Sequence, residues 1–377
     1  MKIKSLLLGS AAALVAVSGA RAADAVIIPE PEMVEYVRVC DAAGAGYFYI
    51  PGSETCLKIA GWARFQINHN SYDFDHMDGN SEDWIGYDDP HEDGHVSFAS
   101  TGQFNISSWT DSEIGPIETY VEFETPGGGD VDLDVVKLSF AGLTMGYFGG
   151  FLDNGINGET DSNGLTNKFN SIQYSGTAGA ISFGASIDQA ADSVVWSDDD
   201  GAKFGVTGML GFSSGAIAAT VVGYYDLGME SGGVVVRGSA DIGPGTLQGR
   251  FTWNQGGNLT GTGTSMYATA TSDSPDPGDD GHLHWVAEAS YAAQVSDKMT
   301  VTPGFSWVQW RNDEFGSESD DRMWTAGVTV DYALAANLAI KANVEYWDFR
   351  DANRVAGPGG LDDGTGWRNF LRFQASF

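Results

Sequence analysis

Eight bases, Lys58, Arg64, Lys137, Arg237, Arg250, Lys341, Arg368 and Arg372, share one parity of stretches that alternate apolar and polar residues. Three acids, Asp153, Glu159 and Asp161, fall together in the connector 152–166. Charges in this pattern suit the selection of ions and polar solutes, because rings of fixed charge at a narrow point decide what passes. Motifs for bond chemistry lack their context. Gly211-Phe212-Ser213-Ser214-Gly215 matches G-x-S-x-G, but a nucleophile elbow needs a helix after it, and Ala216 to Tyr225 reads as another strand. His91-Glu92-Asp93-Gly94-His95 places two histidines four apart. Gly94 and the acidic neighbours predict a loop there, not a zinc-binding helix. His69, His76 and His282 are also expected in loops, and no G-x-x-x-x-G-K-[ST] phosphate loop occurs. The chain reads as no enzyme and as needing no cofactor.

Alternating charges of this kind require strands to hold them. Residues 367–377, WRNFLRFQASF, put Trp367, Leu371, Phe373, Ala375 and Phe377 on one parity and Arg368, Arg372, Gln374 and Ser376 on the other. This is a period-2 strand with one apolar and one charged face. In water such an edge invites aggregation. A closed barrel in a membrane has no edge, and its apolar face meets lipid. Sixteen strands are expected, near 56–68, 95–109, 114–124, 132–141, 143–151, 167–176, 180–188, 202–212, 216–226, 232–242, 246–255, 283–295, 299–310, 322–332, 337–348 and 367–377. Each has about the ten residues that a tilted membrane strand needs.

The connectors alternate in length. Gly115-Pro116, Gly142, 177–179, 213–215, 243–245, 296–298 and 333–336 are short turns, whereas 69–94, 125–131, 152–166, 189–201, 227–231, 256–282, 311–321 and 349–366 are generally longer and mostly rich in Asp and Gly. Short turns at one end and long loops at the other are the mark of an all-β, antiparallel transmembrane barrel with periplasmic turns and external loops. The pattern predicts Leu283, Trp285, Ala287, Ala289, Tyr291, Met299, Val301, Phe305, Trp307, Leu338, Ile340, Val344 and Tyr346 facing lipid. It predicts His284, Glu288, Ser290, Lys341, Asn343 and Glu345 facing the lumen. Sixteen strands leave a water-filled channel between them.

The first residues read as a secretory signal: Lys2 and Lys4, an apolar run from Leu6 to Val17, then Ala20-Arg21-Ala22, with cleavage between Ala22 and Ala23. Residues 1–22 are thus the signal peptide, 23–55 an N-terminal periplasmic segment and 56–377 the barrel. Cys40 and Cys56 are the only cysteines. In an exported chain an even pair favours one disulfide over two buried thiols. The formal net charge is −32, which excludes nucleic acid as a partner. Loop 69–94 alone holds Asp73, Asp75, Asp78, Glu82, Asp83, Asp88, Asp89, Glu92 and Asp93. Such density concentrates cations at a mouth and suits loosely bound divalent cations bridging to lipopolysaccharide, but it forms no complete EF-hand loop.

The stretch 35–67, EYVRVCDAAGAGYFYIPGSETCLKIAGWARFQI, resembles the start of the alphaproteobacterial porins of rhizobia and brucellae. Ala23-Asp24-Ala25-Val26 and Phe140-Ala141-Gly142-Leu143 are similar to that family as well, and the final strand ending on Phe377 resembles a barrel-assembly signal. The resemblance implies a homotrimeric sixteen-stranded general porin of the Gram-negative outer membrane, inserted by the barrel-assembly machinery. It implies a structural bridge between Cys40 and Cys56. It also implies a third long loop folded into the pore, where Asp153, Glu159 and Asp161 face Arg64, Arg250, Lys341 and Arg372. Some of these bases would instead pair with lumen acids such as Glu118, Glu122, Glu288 or Glu345. The expected function is passive diffusion of small hydrophilic solutes and ions with weak cation preference. The alternative is a ligand-specific outer-membrane uptake channel with Trp62, Trp109 and Trp347 along its lumen.

Overall fold

A computed structural model describes residues 38–74, 95–161, 168–189, 204–228, 230–255, 281–312, 322–350 and 364–377. Val39–Phe377 form one compact unit. A 3-10 turn at Asp41–Ala43 precedes a two-residue strand, β1 (Phe48–Tyr49). The wall follows as β2 (Cys56–Phe74), β3 (His95–Thr110), β4 (Ile117–Pro126), β5 (Asp132–Phe140), β6 (Leu143–Gly149), β7 (Lys168–Ala178), β8 (Ile181–Gln189) and β9 (Phe204–Ser214). It continues through β10 (Ile217–Asp226), β11 (Ser231–Ile242), β12 (Gly245–Asn254), β13 (Gly281–Ser296), β14 (Met299–Asn312), β15 (Arg322–Ala335), β16 (Leu338–Arg350) and β17 (Gly364–Ser376). Each wall strand pairs antiparallel with its sequence neighbour, and β17 returns to pair with β2 from Gly364↔Phe74 to Ser376↔Trp62. The sixteen-stranded ring therefore closes, and neither terminal wall strand is left with a free edge.

Side-chain alternation gives the two faces. On β7 and β8, Ile172 and Ile187 are each 55% exposed, while their neighbours Ser171, Ser186 and Asp188 are buried. Leu210, Val221, Val236 and Phe251 continue the exposed apolar face across β9 to β12. In water this band would be an aggregation surface; in a bilayer it is the hydrocarbon contact. Aromatic rings follow one another around the outside of β12 to β17. Phe251 neighbours Trp285 at 6.2 Å, Trp285 neighbours Trp307 at 6.4 Å, Trp324 neighbours Tyr346 at 5.5 Å and Tyr346 neighbours Trp367 at 5.1 Å. Amphipathic rings prefer the boundary between hydrocarbon and headgroup.

The two-residue turn between β5 and β6 puts Ala141 at φ 49° and Gly142 at φ 82°. A turn positive at both central residues matches the twist of its strands. The first turn differs from expectation. Residues 111–116 make a longer connection, closed by the Gly115 amide to the Ser112 carbonyl at 3.0 Å, because Pro116 has no N–H to extend the ladder. Strands also run further into their loops than the hydrophobic pattern suggests. His69 and Asp73 lie in β2, and His95 and His282 lie in β3 and β13. Backbone pairing continues past the apolar band, where side-chain polarity no longer matters. Residues 75–94, including His76, His91 and the remaining acids of that loop, lie outside the described residues.

The inward parity is not uniformly polar. Val286, Val308, Met323 and Phe349 pair in one continuous row across β13 to β16 and are all buried. The sequence pattern predicted a lumen-facing wall of polar residues, and this row departs from it. At the start of β2, Cys56 is joined in a disulfide to Cys40; both are fully buried, with Cα atoms 6.0 Å apart. The bridge ties the β1 hairpin to the first residue of the wall. The seam itself is tight. Gly61 and Phe377 exchange backbone hydrogen bonds at 3.2 and 3.0 Å. A Cβ at Gly61 would overlap the Gln103 carbonyl oxygen and stand 2.8 Å from Phe377 Cζ.

Two outcomes follow from this packing. Gly61→Val should destabilise the barrel by on the order of 1–3 kcal/mol, as overpacking does, read as a lower urea midpoint with the folded form still compact in unheated gels. Replacing Cys40 and Cys56 with Ser should remove roughly 3 kcal/mol of loop constraint. That loss should be confined to the hairpin: limited proteolysis should cut within 40–55 while the barrel stays intact.

Candidate functional site

After β6 the chain does not turn straight back. Residues 150–161 leave the wall and meet the inward faces of strands across the ring. Phe151, Leu152 and Ile156 are buried, and the Phe151 ring lies where a side chain at Gly184 of β8 would stand. Apolar anchors thus seat the start of the segment, and polar atoms tie the rest. Arg237 Nη2 of β11 donates to the Phe151 carbonyl at 3.0 Å. Arg250 Nη1 of β12 donates to the Asn154 carbonyl at 3.1 Å. The Asn157 amide donates to Gln248 Oε1 at 2.6 Å.

Glu159 is the convergence point. Its Oε1 accepts from Lys341 Nζ of β16 at 2.6 Å and from Arg372 Nη1 of β17 at 3.4 Å. Arg368 Nη2 reaches its carbonyl at 3.4 Å. Register places these contacts. Gln248, Ser290, Gly304, Gly327, Glu345 and Arg368 form one continuous paired row across β12 to β17. The segment crosses at this level.

The basic side chains are held by the wall as well. Arg250 and Glu288 form an ion pair whose side chains are 2% and 0% exposed. Arg368 pairs with Glu345 at 3.3 Å and lies 4.9 Å over the Trp347 ring. Arg372 donates to Gln66 at 2.6 Å and stacks 4.5 Å over Phe370. Flat guanidinium groups on aromatic faces keep their charge while losing conformational freedom. Asp161 folds back over Gly155. Its carboxyl is pushed up to about 6, first by burial and then by the Glu288 and Glu159 charges, against the pull of Arg250.

The structure brings some of the expected residues together. Glu159 meets Lys341 and Arg372, and Arg250 meets the segment through a backbone carbonyl while neighbouring Asp161 electrostatically. Arg64 makes no direct bond to the segment among the described residues: it donates to Gln374 at 3.0 Å and lies 4.2 Å over Trp62, one strand beyond Arg372, within electrostatic reach of Glu159. Asp153 lies within electrostatic reach of Arg237. Glu288 and Glu345 do pair with lumen bases, whereas Glu122 takes the Tyr120 hydroxyl. Arg237, Arg368, Gln248 and Thr160 also contact the crossing or belong to it. Parity had put Arg237 and Arg368 in the lumen, but nothing in the chain gave their height along it.

A closed sixteen-stranded barrel, apolar outside and charged within, with one loop segment tied across the lumen, is the architecture of an outer-membrane channel. The porin subfamily model matches residues 24–366. Outer membrane protein IIIA of Rhizobium leguminosarum bv. viciae is 36% identical over 93% of this chain and 91% of its own length. Porin Omp2b of Brucella suis is 31% identical over the whole of both chains. Among solved structures, OmpF of Salmonella typhi in complex with daunomycin superposes with a TM-score of 0.57 at 13% identity, over 87% of this chain and 99% of that one. An anion-selective porin from Comamonas acidovorans does so at 0.55 and 13%, over 86% of this chain and 100% of that one. The chain belongs to the porin subfamily. It is an outer-membrane channel and not an enzyme.

Because a carboxyl poised near 6 loses its charge as pH falls through that value, acidification should remove one negative charge from the crossing. The cation-over-anion permeability ratio should fall with a midpoint near pH 6 in reversal-potential measurements. Asp161→Asn should lower the neutral-pH ratio and lack that step.

Proposed function

We propose that this porin passes small hydrophilic solutes and ions by passive diffusion, with weak cation preference, through a constriction made by residues 150–161 and the bases opposite. The supporting observation is the Glu159 carboxylate held between Lys341 and Arg372. Fixed charges lining a narrow point filter what passes it. Around the crossing, Asp153, Glu159, Asp161, Glu288, Asp331 and Glu345 stand against Arg64, Arg237, Arg250, Lys341, Arg368 and Arg372. Six acids against six bases cancel, so the sign of selectivity is left to the rest of the chain; the whole chain's net charge is −32. Fields from an acidic mouth raise local cation concentration. The preference is weak because the narrow point does not reinforce it. The structurally similar Comamonas porin is anion-selective, so the shared fold does not set the sign.

The working form is proposed to be a homotrimer embedded in outer-membrane lipid and lipopolysaccharide; a structural neighbour, OmpT of Vibrio cholerae, is described in a trimer form. Loosely held divalent cations at the acidic loops would be surface ions, not cofactors. Residues 1–22 are proposed to be removed on export, and the segment from 23 to the disulfide to lie in the periplasm.

A single charge about 10 Å from a passing ion is worth roughly 0.4 kcal/mol in water, about twofold in local ion concentration. Glu159→Gln should therefore lower the cation-over-anion permeability ratio by about that factor, and Arg372→Gln should raise it similarly. Planar-bilayer reversal potentials in a KCl gradient check both. Unchanged ratios in both variants would remove residues 150–161 from the constriction.

A further inference from the structure

We infer that a two-glycine notch in the wall, filled by Thr160, sets how far the crossing segment stands into the lumen, and so acts as a positioning device for the channel's bore and charge. The inference rests on the constriction reading above and goes beyond it to residues that carry no charge.

The inward column of β14 reads Thr302, Gly304, Ser306 and Val308, and that of β15 reads Met323, Thr325, Gly327 and Thr329. Every position but two carries a side chain. Gly304 and Gly327 are direct register partners, so both missing side chains fall at one level of two adjacent strands. Thr160 occupies the space they leave. It is 1% exposed. A Cβ at Gly304 would overlap Thr160 Oγ1 and stand 3.2 Å from its Cβ and 3.3 Å from its Cγ2. A Cβ at Gly327 would stand 2.8 Å from the Val344 carbonyl oxygen and 3.0 Å from Thr160 Cγ2. The Thr160 hydroxyl has no hydrogen-bond partner among the described residues. Shape therefore holds it, not polar pairing.

The notch lies in the row that also carries Gln248 and Arg368, each bonded to the segment. Thr160 directly follows Glu159, so the depth at which it seats fixes where the carboxylate meets Lys341 and Arg372. Close packing transmits such displacements instead of absorbing them. A methyl group at Gly304 takes the space of Thr160 Oγ1 and crowds its Cβ and Cγ2, so it is expected to unseat Thr160 from the wall.

The experiment is single-channel conductance and neutral-solute exclusion of the full-length protein in planar bilayers. Gly304→Ala should fold, lower the conductance and reduce the solute cut-off. Gly304→Ala with Thr160→Ala should recover most of both losses, since only the 3.2 Å approach to Cβ then remains and a shift of a few tenths of an ångström relieves it. Wild-type conductance and cut-off in a folded Gly304→Ala channel, or no recovery in the folded double variant, would overturn the inference. Should Gly304→Ala not fold, Thr160→Val and Thr160→Ala decide. Val keeps the shape and should match wild type, whereas Ala should show raised open-channel noise. Equal behaviour of these two overturns the inference. Glu159→Gln in the same series separates the two readings: if it shifts selectivity while Gly304→Ala changes nothing, the notch fails and the constriction stands. If Glu159→Gln is also silent, the constriction itself fails.

Discussion

A hydrocarbon layer offers no partner to a backbone N–H or C=O, and that single constraint organises this molecule. A β-wall can satisfy it only by closing. The pairing of β17 with β2 completes the ring, with Phe377 and Gly61 exchanging bonds at its last rung. Once the ring exists, alternation along each strand assigns every side chain to lipid or lumen. The exposed Ile, Leu, Val and Phe side chains of the wall are then contacts with solvent of the right kind, and the belt of Trp and Tyr rings marks where that solvent ends.

Closure also creates the interior that the crossing segment enters. A ring this wide leaves an interior that side chains alone do not fill. The chain places residues 150–161 there. The segment is pinned at its start by buried Phe151 and Leu152 and at its end by Glu159 and Thr160. Its charges are counterbalanced almost one for one. Arg250 is committed to Glu288, and Arg368 to Glu345. Under the proposed function, this balance leaves the ion preference weak.

How much was legible beforehand differed by level. Strand number and strand positions followed from period-2 patterning and from short turns alternating with long loops, because both are local signals. Strand ends were less legible: β2 runs on to Phe74 and takes in His69, since pairing outlasts the apolar pattern. Among site residues, parity placed Arg368 and Arg237 in the lumen as readily as Arg372 and Lys341. Contact with the crossing segment depends on height, and height is set by register summed over many strands. The apolar inward row of Val286, Val308, Met323 and Phe349 was invisible for the same reason. Each is one apolar residue in its own strand and becomes a feature only when four strands align.

The amino-acid sequence by itself determined the compartment, the all-β wall, the alternation of faces along the strands and the cysteine pair, because each depends on composition or on a period of two along one strand. Tertiary structure alone decided that Glu159 lies between Lys341 and Arg372, that Arg64 stands one strand beyond, and that Gly304 and Gly327 coincide beneath Thr160. These are meetings of residues up to 310 positions apart, and no local pattern encodes them. They arise where the stagger of a closed ring brings distant strands to one level.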